Sequence, residues 1–344
     1  MSKKHYIIPI FISHVGCPHQ CVFCNQDKIA RTLQKEVTAE EVEETIREYL
    51  DTIDKNNAIV EVSFFGGTFT AIPVNKQKEL LRVAKVYKEK GLIDKIRMST
   101  RPDAINSYIL NYLKEYKVDI IELGVQSLDN EILRLSGRGH SAEDVEKSSK
   151  LIKEYGFILG HQIMPGLPGD NFERDIETAK KSIEMKPDIC RIYPSLVIKD
   201  TPMEEMYYRG IYKPYTLEEA VEISKKIYQL YKEAKVNIIR IGLQATDTIT
   251  LGKDVISGPF HPSFRELVEG SLMCDKIKNS IKSEEDIIIE LNSRDLSKLY
   301  ANKKFYFNKL KENHKGKISV RTNDKIARDN INIIVLKRLE KITI

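Results

Sequence analysis

The chain has 344 residues, 41% of them hydrophobic and 31% charged, with a net charge of +5. That length is too great for one ordinary core and short for three, so one large domain and a smaller one are expected. No apolar run approaches the roughly 20 residues that span a bilayer, and five cysteines, odd in number and partly clustered, do not make a disulfide framework; a reducing cytoplasm and no membrane partner are expected.

The first strand is expected over residues 5–13. Its apolar stretch Ile7–Ile12 resembles a signal-peptide core, yet it is too short and meets no small-residue cleavage site. It runs straight into CPHQCVFC, which carries Cys17, Cys21 and Cys24. Three thiolates are one short of the four ligands that a structural zinc or a ferredoxin cluster takes. A four-iron cluster on three cysteines keeps one iron open for a substrate or cofactor. The alternatives are a zinc site completed by His14 or His19, or a stray cluster of cysteines. Phe23, beside the last cysteine, can shield a cluster or flank a ring.

A capping box at Thr38–Glu41 starts the first helix, and the second strand, 59–66, ends in Phe64-Phe65-Gly66-Gly67-Thr68. Two glycines allow positive φ and close backbone approach. Alone they make a turn; following a strand, they point to a ligand loop. Strands over 95–100, 119–126, 158–165, 188–198 and 238–243 follow, with further capping boxes at Ser141–Asp144 and Thr216–Glu219. This alternation predicts parallel strands with helical crossovers, and runs such as IVEVSFFG are apolar enough to be covered on both faces.

The alternation fades after 245, which divides the chain into domains 1–245 and 246–344. A helix over 261–281, strands over 286–291, 317–321 and 331–336, and two short helical segments suggest a small α+β domain. Residues 298–344 hold 13 Lys or Arg against 4 Asp or Glu, a net of +9, while the rest of the chain nets −4. Such a tail is either a footprint for a phosphate-rich partner or a solvated lysine-rich surface. Its aromatics Tyr300, Phe305, Tyr306 and Phe307 can stack bases or, at helical spacing, face a core.

The cysteine run and FFGGT, on a βα chain, resemble the radical S-adenosylmethionine (SAM) superfamily. Ser99-Thr100-Arg101-Pro102-Asp103, Glu122–Ser127, Arg138-Gly139-His140, Met164–Gly169 and Arg191–Ile198 occur in order. Together they resemble the radical SAM domain of the elongator complex catalytic subunit, a tRNA wobble-uridine modifier, over roughly residues 5–245. The wider grouping includes oxygen-independent coproporphyrinogen oxidase. The resemblance implies a partial (β/α)6 TIM-like barrel with a small C-terminal α+β domain. It implies a [4Fe–4S] cluster on Cys17, Cys21 and Cys24, with SAM chelated on the open iron and cleaved to a 5′-deoxyadenosyl radical. Phe23 is implied near the adenine, Gly66, Gly67 and Thr68 along the methionine end, Ser99 near the ribose, and Gln126 and Arg138 as polar SAM contacts.

Gln162 holds a position that is acidic in some relatives. Tyr193, and after it Lys199, are substrate-side candidates, against the plainer reading that a strand-end tyrosine packs. Glu122 is either a ligand contact or an inward barrel residue paired with an arginine, and Asp103 can simply start a turn. Cys190 and Cys274 read as buried thiols, and His14, His19, His140 and His161 as unassigned histidines. The resemblance departs in two ways: the gap between the first two cysteines is three residues, shorter than in the elongator subunit, and no segment matches its acetyltransferase domain or its N-terminal tRNA-binding extension. The elongator product by the same route is therefore not expected. RNA, as a tRNA base reached through the basic tail, is the expected substrate, with electrons from an external donor. The alternatives are a small molecule such as a tetrapyrrole, or a non-enzymatic module that binds metal and nucleic acid.

Overall fold

The computed structural model describes residues 4–12, 17, 19–25, 36–282 and 284–336. The chain divides into two compact units between Pro262 and Ser263. In the first, strand–helix units alternate: β1 (Lys4–Ile12), α1 (Ala39–Asp51), β2 (Ala58–Gly66), α2 (Val74–Glu89), β3 (Lys95–Thr100), α3 (Ser107–Glu115) and β4 (Ile120–Gln126). Then come α4 (Asn130–Leu135), α5 (Ala142–Glu154), β5 (Ile158–Ile163), α6 (Phe172–Glu184), β6 (Ile189–Ile192), β7 (Val197–Ile198), α7 (Pro202–Tyr208), α8 (Leu217–Glu233), β8 (Asn237–Ile241) and β9 (Val255–Ser257). Seven strands pair in parallel in the order β1-β2-β3-β4-β5-β6-β8, so chain order is nearly sheet order and the sheet curls as a half-barrel.

Local signals set the helix starts. In each of the three expected boxes, Thr38, Ser141 and Thr216, the hydroxyl accepts from the backbone N–H three residues on and the acidic side chain reaches back. The expected strand over 188–198 is two strands. Pro194 has no N–H to give a ladder, and β7 leaves the large sheet to pair antiparallel with β9. Because β9 pairs with β7, residues 246–262 lie with the first unit.

The strands alternate strictly between two environments. One face carries Ile8, Ile10, Val60, Val62, Ile96 and Met98, all buried under the helices. The other carries Glu61, Ser63, Arg97, Ser99, Glu122 and Arg191, at positions two apart along their strands. Those charges neutralise one another. Arg97 Nη2 donates to Glu61 Oε2 at 3.0 Å, Arg97 Nη1 to Glu122 Oε1, and Arg191 Nε to Glu122 Oε2 at 2.9 Å. Ser63 and His5 also meet Glu61, at 2.7 and 3.3 Å.

The second unit holds α9 (Phe264–Ser280), β10 (Asp286–Leu291), α10 (Leu296–Leu299), α11 (Ala301–Glu312), β11 (Ile318–Thr322) and β12 (Ile331–Leu336). Its sheet runs β11-β10-β12, with the first pair parallel and the second antiparallel. Ile277, Ile287, Ile289, Leu299, Phe307 and Leu310 form its core, and Tyr300 and Tyr306 pack against them. The helical-spacing reading of the aromatics therefore holds for these three, and Phe305 remains 38% exposed. Part of the basic excess is held internally: Lys298 meets Glu269, Asp295 and Asp329, Arg328 meets Asp295, and Arg321 meets Glu290.

Removing the arginine that joins two buried carboxylates leaves both charges short of a partner. Arg97→Ala is expected to lower unfolding stability by about 3–5 kcal/mol. Urea unfolding checks this, and a midpoint unmoved from wild type would refute it.

Candidate active site

A cavity of about 660 Å³ opens at the C-terminal ends of the parallel strands. This is where α/β folds gather functional loops. Cys17, Cys21, Phe23 and Cys24 line it from the loop after β1, and Gly66, Gly67 and Thr68 line it from the end of β2. Ser99, Gln126, Arg138 and Tyr193 also face it, from β3, the end of β4, the loop after α4 and the end of β6.

The cysteine loop is strapped from two sides. Val22 N–H donates to Ser136 O at 3.0 Å, and Met203 N–H donates to Val22 O at 2.9 Å. Cys24 N–H turns back to Cys21 O at 3.1 Å. Val22 and Phe23 pack against Ile132, Leu167 and Met203. None of the three cysteines is in a disulfide. The glycine pair is tied to the same place. Gly67 N–H donates to Ile12 O at 3.0 Å, and Gly66 has φ +97° with a notional Cβ only 2.5 Å from that carbonyl. The positive φ and close approach expected of FFGGT thus belong to Gly66, and what approaches is the backbone of β1.

Two buried guanidinium groups stand behind the cysteines. Arg138 Nη2 donates to Gly124 O at 2.6 Å and Nη1 to Cys21 Sγ at 3.5 Å. A side chain at Gly124 would displace this guanidinium, since its notional Cβ lies 2.7 Å from Arg138 Nη2. Arg101 grips Asp103 with two bonds of 2.9 Å and donates to Arg138 O at 2.6 Å, which fixes the Arg138 loop. Burial opposes the charge on Arg101, yet the Asp103 hydrogen bond and charge outweigh it and raise its pKa. Asp103 therefore starts a turn and also anchors an arginine. His19 lies 3.7 Å from Asp103 with its ring against Gly139. His140 Nε2 donates to Val125 O (3.2 Å), and burial, then the charges of Arg138 and Arg101, push its pKa down to about 3.

The remaining expectations sort by burial. Glu122 points inward with Arg97 and Arg191 as partners, and it also lines the cavity. Tyr193 accepts from Arg191 Nη1 at 3.1 Å and faces the cavity, as does Gln162; Lys199 does not line it. His161 is wholly buried between Ser149 and Ser182, and burial lowers its pKa to about 3. Cys190 and Cys274 are buried, and burial pushes each thiol up to about 12. His14 lies outside the described residues. The sequence reading passed over Arg101, Arg191, Arg240 and Phe65 as site residues. The signal was present: Arg97, Glu122 and Arg191 interrupt apolar strands at alternate positions, the mark of a polar barrel interior.

Several buried polar atoms around the cysteines have no hydrogen-bond partner among the described residues: Arg101 Nη1, Gln126 Oε1, Arg138 Nε and His140 Nδ1. Gln126 also holds a left-handed φ of 65°. Two orphaned guanidinium donors and two orphaned acceptors beside three cysteines fit a polar ligand with both an anionic group and donors, together with a sulfur-ligated metal group. Among the described residues no three His, Cys, Asp or Glu side chains gather closely enough for a single ion. Three cysteines on one loop are a donor set that suits an iron–sulfur cluster, in which each cysteine binds its own iron.

The chain matches the model of the radical SAM superfamily over residues 11–181 and that of the radical SAM C-terminal domain over 187–273. It is 31% identical over 256 residues to a tRNA uridine(34) acetyltransferase of Methanocaldococcus infernus, covering 63% of this chain and 48% of that protein. It is 33% identical over 235 residues to an uncharacterized protein of Methanocaldococcus jannaschii, covering 65% and 70%. Human elongator complex protein 3 is 31% identical over 207 residues, covering 54% and 37%. Among solved structures, Methanocaldococcus infernus Elp3 with an N-terminal deletion superposes with a TM-score of 0.64 at 25% identity, over 80% of this chain and 64% of that one. The chain spans about half the length of the acetyltransferases it matches. It belongs to the radical SAM superfamily, whose enzymes work with a [4Fe–4S] cluster and SAM.

The buried imidazole gives a pH test. His140 is held neutral in the fold, so its contribution to stability is complete above the unfolded value near 6.5 and is lost as pH falls toward about 3. His140→Gln is expected to flatten that acid limb of the stability curve. Nitrogen-15 NMR checks the cause: a ring that titrates between pH 8 and 5 would refute it.

Proposed function

We propose that this radical SAM enzyme modifies a base of RNA, with Cys17, Cys21 and Cys24 holding its cluster and leaving one iron for SAM. One observation carries the reading: three cysteines, the Gly66-Gly67-Thr68 turn and the orphaned polar atoms of Gln126 and Arg138 line a single cavity. When bound, the cluster and SAM supply reductive cleavage of a sulfonium and abstraction of a substrate hydrogen, chemistry that no side chain can perform. The chain supplies position, charge and dryness. Arg138 Nε is free to donate toward a carboxylate and Gln126 Oε1 to accept from a donor. Ser99 and Phe23 stand at the same wall for the ribose and adenine. Arg101, anchored on Asp103, keeps the Arg138 loop in register. Val22 and Phe23, packed on Ile132 and Leu167, exclude water behind the cysteines. Tyr193, held by Arg191, is the substrate-side hydroxyl.

The RNA reading is supported by the relatives named as tRNA uridine(34) acetyltransferases, at 31% and 30% identity. It concerns the radical step and assigns no acetyl transfer. The basic residues of the second unit left outside its ion pairs, such as Lys303 and Lys309, are the proposed RNA contacts. The reducing electron comes from an external donor. Among the described residues no helix is long and apolar enough to cross a membrane. Open thiols of this kind persist in a reducing cytoplasm.

Anaerobic reconstitution with iron and sulfide, then dithionite and SAM, is expected to yield 5′-deoxyadenosine with wild type and none with Cys24→Ala. Zinc in place of iron, with no SAM binding, would overturn the reading. Arg138→Lys keeps a charge and loses the planar fork. It is expected to weaken SAM binding about tenfold by calorimetry while the iron content stays near wild type; unchanged affinity would remove Arg138 from the SAM site.

A further inference from the structure

The charges inside the half-barrel do not sum to zero. Glu61 and Glu122 are matched by Arg97 and Arg191. A third arginine, Arg240, stands on β8 directly opposite Arg191 in the β6–β8 register. A register shift after Cys190 puts it there: Cys190 pairs with Ile238 and Arg191 with Arg240, so one residue of β8 is skipped. Arg240 lines the cavity beside Arg191. Its hydrogen bonds go to Gly242 O at 3.3 Å and to Gln244 Oε1 at 2.9 Å, both uncharged. Among the described residues it has no carboxylate within ion-pair distance. Glu122, the acid nearest in register, is already shared by two arginines.

We propose that Arg240 and Gln244 form a phosphate-reading subsite at the β8 side of the cavity. Arg240 offers a planar fork of donors, which matches two oxygens of a phosphate. Gln244 accepts from Arg240 through its carbonyl, so its amide N–H groups are left to donate. The pair therefore presents donors alone and asks for an anion with several acceptor oxygens. Arg138 is a different case, because it is bonded to Cys21 on the cysteine side.

The same cavity has room and walls for the rest of a nucleotide. Its volume of about 660 Å³ lies in the upper half of the roughly 300–1,000 Å³ usual for ligand pockets. Phe11, 40% exposed, and Phe65 form an aromatic pair at its rim, with centroids 6.4 Å apart. A planar base can rest on such a ring, with its phosphate at Arg240. The inference rests on the RNA reading for the identity of the ester, and a small phosphate ester would meet the same donors.

The test compares uridine with uridine 5′-monophosphate, which differ by the phosphate alone, on the cluster-reconstituted full chain. Wild type is expected to bind the monophosphate at least about tenfold more tightly. Arg240→Met is expected to bring that ratio close to one with uridine affinity unchanged, and Gln244→Ala, at an exposed position, to lower it in part. A ratio near one in wild type, or an unaltered ratio in Arg240→Met, overturns the subsite. Binding of total tRNA separates the two sources. If Arg240→Met weakens tRNA binding and lowers the salt slope by about one, the phosphate belongs to RNA. If neither protein binds tRNA while the monophosphate preference follows Arg240, the subsite stands for a small phosphate ester and the RNA reading fails. If tRNA binds but the preference ignores Arg240, the RNA reading stands and the subsite fails.

Discussion

The half-barrel depends on one carboxylate held between two arginines. Glu122 on β4 meets Arg97 on β3 and Arg191 on β6, and Arg97 passes the contact on to Glu61 on β2. An open parallel sheet with an apolar inner face would have to fill that face or expose it. From β2 to β6 this chain fills it with paired charges, which make little demand for water once matched, and only Arg240 on β8 stands without an acid among the described residues. The arrangement is costly to break and specific in register, because a slip of one residue would turn every one of these groups toward the helices. It also sets up the cavity above: Arg191 hands a hydrogen bond to Tyr193 and lies 5.4 Å from the Phe65 ring, so the charged floor fixes the side chains at the mouth.

The cysteine loop owes its place to contacts far along the chain. Ser136 and Met203 hold Val22 from two different helical segments, and Ile12 holds the glycine turn against the end of β1. The described residues of the cysteine loop form no helix or strand, and distant backbone groups hold them in place. This accounts for the conformation of Gly66. With φ +97° and no room for a Cβ beside Ile12 O, it lets β1 and β2 end close together so that both the cysteines and the turn face one cavity.

Most of the fold was legible because its signals are local. Capping boxes at Thr38, Ser141 and Thr216 and apolar strand runs announce themselves within a few residues. The strand over 188–198 was misread as continuous for the same reason: its apolar pattern persists through Pro194, and only pairing with β9 shows that the sheet has been left. At the site, motif residues such as Cys21 and Gly66 were legible from spacing. Arg101 and Arg240 were not, because an arginine in a sequence gives no sign of whether it is buried or which acid it faces. Arg101 became meaningful only with Asp103 and the Arg138 carbonyl beside it, and Arg240 only through a one-residue register shift.

Arg138 brings these strands of argument together. It is almost wholly buried, and among the described residues no carboxylate pairs with it; its partners are a carbonyl, a thiol and an unfilled Nε. A buried cation so placed is unfavourable in isolation. Arg101, the other buried guanidinium nearby, avoids that difficulty through Asp103 and in doing so holds Arg138 by its carbonyl. The fold therefore keeps one uncompensated positive charge against Cys21 and braces it there. An anionic group at the cysteines or a carboxylate at Nε would satisfy it. Any ligand that does so binds the folded state alone and stabilises it by mass action. The same interaction then serves recognition and stability, which is a physical reason for placing an arginine where burial alone would disfavour it.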